Sequence, residues 1–226
     1  MPVETTETLA QHTIAESPAL ATHKVLRNTY ALLALTVLFS AITAGISMVL
    51  KLPHPGLILT LAGYFGLLFA VTRLRNSGWG LVCVFALTGF MGITLGPLFN
   101  AYLGLPNGGQ IIATALGGTG LTFLALSAYA LLTRRDFSFM GNFLFVGILV
   151  AFLAGIGALV FELPALSLTV SALFVLLMSG LILYETSNII HGGETNYIMA
   201  TVTLYVAIFN LLTSLMHLLG AMSSQE

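Results

Sequence analysis

Seven runs of about 20 apolar residues, divided by short polar turns, leave this 226-residue chain few choices of fold. A helix needs about 20 apolar residues to cross a hydrocarbon core roughly 30 Å thick, where every backbone N–H and C=O must be satisfied within its own segment. The breaks made by charge, proline and glycine predict spans at Asn28 to Leu50, Gly56 to Leu74, Trp79 to Leu103, Gln110 to Leu132, Met140 to Phe161, Pro164 to Ile190 and Tyr197 to Leu219. The connectors carry turn chemistry, as in Lys51-Leu52-Pro53-His54-Pro55, Arg75-Asn76-Ser77-Gly78, Pro106-Asn107-Gly108-Gly109 and His191-Gly192-Gly193. They are too short to be domains. The expectation is an all-α polytopic transmembrane helix bundle of seven helices: one membrane domain over residues 23–226 behind a polar, disordered tail over residues 1–22.

Composition agrees with that reading. A soluble chain carries charge on about a quarter of its residues. Here 7% are charged and 58% hydrophobic, with a mean hydropathy of +1.01, so most side chains face lipid or another helix. The net charge is −1 and no basic run exceeds two residues, which excludes an electrostatic footprint for nucleic acid. The single cysteine, Cys83, lies in an apolar stretch and excludes an internal disulfide or a thiolate metal site. The opening segment is acidic (Glu4, Glu7, Glu16), and the first apolar run is too long for a secretory signal and lacks a small-residue cleavage site. The tail is therefore expected to be retained.

Lysine and arginine beside a span resist translocation. Lys24 and Arg27, then Arg73 and Arg75, then Arg134 and Arg135 share one side, and only Lys51 falls on the other. Six of the seven basic residues thus predict a cytoplasmic amino terminus and a periplasmic carboxyl terminus. A six-helix alternative would lay either the short second run in the interface or the seventh, which carries Thr201, Thr203, Asn210, Thr213 and His217. Gly117, Gly118, Gly120, Gly141, Gly147, Gly155 and Gly157 are expected to let helix backbones approach closely.

An ionisable residue within a span is a functional candidate by default. Glu185 stands about five residues before the end of the sixth span, roughly 8 Å in at 1.5 Å per residue. Two readings are open: a structural ion pair with Arg73, Arg75, Arg134 or Arg135, or a proton- or cation-responsive site. Pro97, after Gly96, predicts a kink in the third helix. Asn100 and Asn210 are expected to donate hydrogen bonds between helices. His54 and His217 stand alone, without a second ligand at metal spacing. No Gly-x-Ser-x-Gly, His-Glu-x-x-His or phosphate loop is found, and HGGET at His191 to Thr195 reads as a loop. Neither an enzyme nor a cofactor is expected.

Four stretches carry a resemblance: GITLGPLFNAY at Gly92 to Tyr102, IATALGGTGLTFLAL at Ile112 to Leu126, TRRDFSFMGNFLFVG at Thr133 to Gly147, and LYETSNIIHGG at Leu183 to Gly193. Together, and in this order, they resemble the Bax inhibitor-1 family of small membrane proteins over the third to seventh spans. The resemblance implies two activities. One is a pH-sensitive calcium leak that sets an acid on helix six against a second acid on helix seven, in a motif like Leu-Tyr-Leu-Asp. The first acid maps to Glu185, but the matching stretch here is Leu204-Tyr205-Val206-Ala207, so the second is missing. A lone carboxylate cannot titrate as a coupled pair. The other activity, implied by a likeness to bacterial members, is modulation of a membrane-anchored AAA protease of the FtsH type in the inner membrane. Such a protease must grip a flexible end, and the tail starting Met1, Pro2, Val3, Glu4, Thr5 is the candidate handle. The protease modulator is the leading expectation and the cation leak the alternative.

Overall fold

The computed structural model describes residues 18–223, and the candidate handle from Met1 to Thr5 lies outside them. The described residues form seven long helices: α1 (Pro18–Val49), α2 (Leu57–Leu74), α3 (Gly78–Leu103), α4 (Gly108–Thr133), α5 (Gly141–Val160), α6 (Pro164–Ile190) and α7 (Tyr197–Ser223). A single 3-10 turn, Ser138–Met140, leads into α5. All seven are long and apolar enough to cross a membrane, so the six-helix alternative falls.

The largest departure from the expected spans is at α1, which begins at Pro18 rather than Asn28 and so takes in residues 18–22 of the expected tail. The extra turns are rich in alanine, leucine and lysine, which favour helix whether or not lipid surrounds them. At 32 residues α1 is about 48 Å long and outreaches a core of roughly 30 Å.

The polar residues that made the seventh run look interfacial have a different cause. α7 is the most enclosed helix and packs on α1, α2, α3, α4 and α6. Its hydroxyls are spent inside the protein: Thr201 donates to Tyr197 O at 2.7 Å, and His217 Nδ1 meets Ser171 Oγ at 2.8 Å. His217 is therefore not isolated. Leu204 and Leu211 of α7 are fully buried in one core cluster with Leu87, Met178 and Ile182, and Met216 is fully buried in a second with Leu95 and Ala115. Among the described residues the backbone of α5 comes close only to α6 and the 3-10 turn, and that of α2 to α3 with a minor approach to α7.

The tightest seam joins α1 to α3. A Cβ on Gly92 would collide with Thr43 and Ser40, and one on Gly96 with Ser47. Pro97 has no N–H for the carbonyl of Ile93 one turn earlier. Ser47 of α1 reaches across and donates to that carbonyl at 2.8 Å. The Gly-Pro pair thus opens a notch in which a small hydroxyl residue replaces the lost backbone bond. Asn100 Nδ2 adds a bond to Met48 O at 3.1 Å, between helices as expected. Asn210 instead bonds within its own helix, to Val206 O at 2.8 Å. The expected glycine seams hold in part: Gly141 abuts Tyr184 and Gly147 abuts Leu177, whereas Gly117, Gly120 and Gly157 face open space.

Candidate functional site

The stretch LYETSNIIHGG is the last part of α6 and the turn after it. Three of four consecutive side chains, Tyr184, Thr186 and Ser187, fasten this end of the bundle. Tyr184 lies against Gly141 at the start of α5. Glu185 points inward and is 4% exposed. Thr186 Oγ1 meets Tyr30 OH of α1 at 3.2 Å. Ser187 Oγ accepts from Phe137 N at 3.0 Å and donates to Arg135 O at 2.9 Å, which clamps the α4–α5 loop onto α6.

Past α6 the chain turns through Gly192, whose φ of +75° suits a residue without a Cβ. Gly193 N then returns to Asn188 O at 2.9 Å. Asn196 starts α7 by accepting from Ile198 N and Met199 N at 3.0 and 3.1 Å. Its amide nitrogen donates to Arg75 O and Asn76 Oδ1 at 3.2 and 2.9 Å, which ties in the α2–α3 loop. All three loops at this end are thereby linked to one another through α6 and α7.

About two and a half turns further along α7, a hydroxyl chain crosses the core. Tyr205 OH donates to Thr88 O at 3.2 Å, so Ser40 Oγ, 2.6 Å away, donates to the tyrosine oxygen. This joins α7 to α3 and α1. Nothing in the sequence singled out Tyr205 as a crosslink, because its partners lie 117 and 165 residues away.

The structure separates the sequence candidates. Arg73, Arg75, Arg134 and Arg135 are exposed, whereas Glu185 is enclosed and its Oε1 has no hydrogen-bond partner. Where Arg75 and Arg135 take part, they do so through backbone carbonyls. The expected ion pair is therefore not what holds this end together: the loops send the guanidinium groups out while α6 turns Glu185 in. Ala207, which stands where the resemblance calls for a second acid, is fully buried in the apolar core. In the loop itself, Asp136 accepts from the Ser138 hydroxyl and from Ser138 N, the latter at 2.8 Å. Those bonds, the hydroxyl's first, hold its carboxyl below the ordinary value of 3.8, and the neighbouring His191 adds to the effect.

Comparison with known proteins points the same way as the motifs. The family described as "Inhibitor of apoptosis-promoting Bax1" matches residues 22–224. The chain is 56% identical over 201 residues to the Escherichia coli K12 protein called modulator of FtsH protease YccA, covering 89% of this chain and 91% of that one. It is 55% identical over 196 residues to an uncharacterized protein of Pseudomonas aeruginosa (87% and 88% covered). It is 44% identical over 208 residues to an uncharacterized membrane protein of Vibrio cholerae (92% and 93% covered).

Proposed function

Because the chain belongs to the Bax inhibitor-1 family, whose model spans nearly all of it, we propose that it modulates a membrane-anchored AAA protease of the FtsH type in the bacterial inner membrane, by binding that protease. The observation that carries this reading is the 56% identity, over 89% of the chain, to a protein named for that modulation. At such identity over nearly the whole of both chains, the same helices are offered to a partner.

The physical account is one of resistance to extraction. In this reading residues 1–17 extend into the cytoplasm and are gripped, while the bundle behind them yields slowly. Its crosslinks are spread over distant parts of the chain: α1 to α3 through Ser47, α1 and α3 to α7 through Tyr205, and the loops through Ser187 and Asn196. Pulling α1 alone must break several of them at once. A protease held by such a client acts more slowly on other membrane substrates, and no catalytic group is needed.

The cation leak has less support. Its latch needs a carboxylate pair, and Ala207 occupies the second position. The test of the modulator reading is twofold. Purification from native membranes should bring the protease down with the chain, and the chain in proteoliposomes should slow degradation of an unrelated membrane substrate by the purified protease. A native purification free of the protease, with undiminished degradation, overturns it.

A further inference from the structure

Between α2 and α5 the bundle is open. The two helices make no close backbone approach, and across the gap the rings of Phe65 and Phe152 meet with centroids 5.8 Å apart. Behind them lies a cavity of about 400 Å³, within the range of roughly 300–1,000 Å³ typical of ligand pockets. Met91 and Met178 form its floor at 6% and 1% exposed, and Phe65, Phe145 and Leu149 form its rim at 46%, 70% and 48%. Phe209 and Asn210 of α7 line it from the bundle side.

Its depth and chemistry identify the occupant. Tyr64, Met91, Ile148, Met178 and Phe209 each lie near the midpoint of their own helix, so the opening is level with the centre of the hydrocarbon. There the surrounding solvent is acyl chain. No charged residue lines the cavity. The polar side chains spend their protons on backbone carbonyls: Thr60 on Gly56 O and Thr94 on Met91 O, both at 2.7 Å, and the Asn210 amide on Val206 O at 2.8 Å. Asn210 Oδ1, the second proton of its amide and the Tyr64 hydroxyl are then too few to replace the hydration shell of an ion or a polar solute. A hydrocarbon chain gives up no hydrogen bonds on entering.

We infer that the cavity is a binding site for a hydrocarbon chain of a bilayer lipid, which enters sideways between α2 and α5 and lies against α7.

Trp79 is the single tryptophan, so Trp79→Phe with Phe209→Trp places the only indole on the cavity wall of the most enclosed helix. The full chain is reconstituted in dioleoyl phosphatidylcholine and in the same lipid brominated at mid-chain. Bromine should quench this tryptophan at least about twofold, as it should a Leu153→Trp control on the lipid-facing side of α5, and adding Ile148→Phe should restore most of the emission. Quenching by aqueous acrylamide instead, or by neither reagent, overturns the proposal. A second measurement leaves the cavity intact: mass spectrometry of the unsubstituted chain released from lipid nanodiscs should show one phospholipid retained, lost with Ile148→Phe and kept with Leu153→Phe. Equal retention in all three also overturns it.

Discussion

At the scale of single residues, the Ser47 contact is the sharpest case of a side chain standing in for backbone. Ser47→Ala leaves the Ile93 carbonyl without its donor and should cost about 0.6 kcal/mol, the average for hydrogen bonds between membrane helices, and no more than about 1.7. Pro97→Ala returns an N–H to that carbonyl, so the serine substitution should cost less than half as much in that background. Denaturant unfolding in mixed micelles measures all four variants, and additive effects would show that the two residues are not coupled. Glu185→Gln replaces the carboxyl with an amide of the same shape that cannot ionise, at an enclosed position whose Oε1 has no partner, so it should keep or raise the thermal midpoint. In proteoliposomes neither form should pass calcium, and a flux present in the parent and absent in Glu185→Gln would restore the leak reading. Asp136 behaves oppositely to a buried acid. Its carboxyl is held below 3.8, so the turn it makes with Ser138 is fully formed above that value and is lost only as pH falls through the lower folded value. The Ser138 amide resonance should titrate with a midpoint below 3.8, and a midpoint above it would contradict the bond.

At the scale of elements, the contrast is between glycines that meet another helix and glycines that meet lipid. Gly92→Val would drive a branched side chain into Thr43 and Ser40 and push α1 off α3, a loss of about 3 kcal/mol or more. A Cβ on Gly117 meets nothing within 4 Å, so Gly117→Ala should stay within about 0.5 kcal/mol of the parent. Thermal unfolding of the two variants side by side tests this, and equal losses would mean that α4 is packed where the structure shows it open. From sequence alone the two glycines were indistinguishable, since both sit in apolar helices with small residues nearby. The same blindness affected Asn100 and Asn210. Each is an amide within an apolar run, yet one reaches another helix and the other its own preceding turn. Helical rotation decides between them, and the nearly uniform hydrophobicity of these helices hides it.

At the scale of the whole molecule, the question is whether the amino-terminal segment serves as a handle for a pulling protease. α1 begins at Pro18, so deleting residues 2–17 removes the candidate handle without shortening the helix and keeps Lys24 and Arg27, which orient it. The truncated chain should insert normally and outlive the full-length chain in cells that contain the protease. Pulse-chase lifetimes with and without the protease decide this, and equal protease-dependent lifetimes would show that the grip is elsewhere. The loop crosslinks belong to this scale too. Ser187 and Asn196 hold the three loops at the α6–α7 end as one surface, which a partner on that side would meet as a unit.

Sequence by itself determined that the chain lies in a bilayer, how many times it crosses and where its turns fall, because those follow from the length of each apolar run against a fixed hydrocarbon thickness. The family motifs were legible as well, since they are local strings. Tertiary structure decided which face of each helix turns inward. It turned Glu185 away from the arginines, placed α7 at the centre so that its polar residues met partners, and set Ser47 against the carbonyl freed by Pro97. It also left α2 and α5 apart with a cavity between them. In these helices almost every side chain is apolar enough to face lipid, so the pattern that marks the buried side of a soluble helix is faint here. Only the fit of small residues, carbonyls and hydroxyls between neighbouring helices selects one rotation.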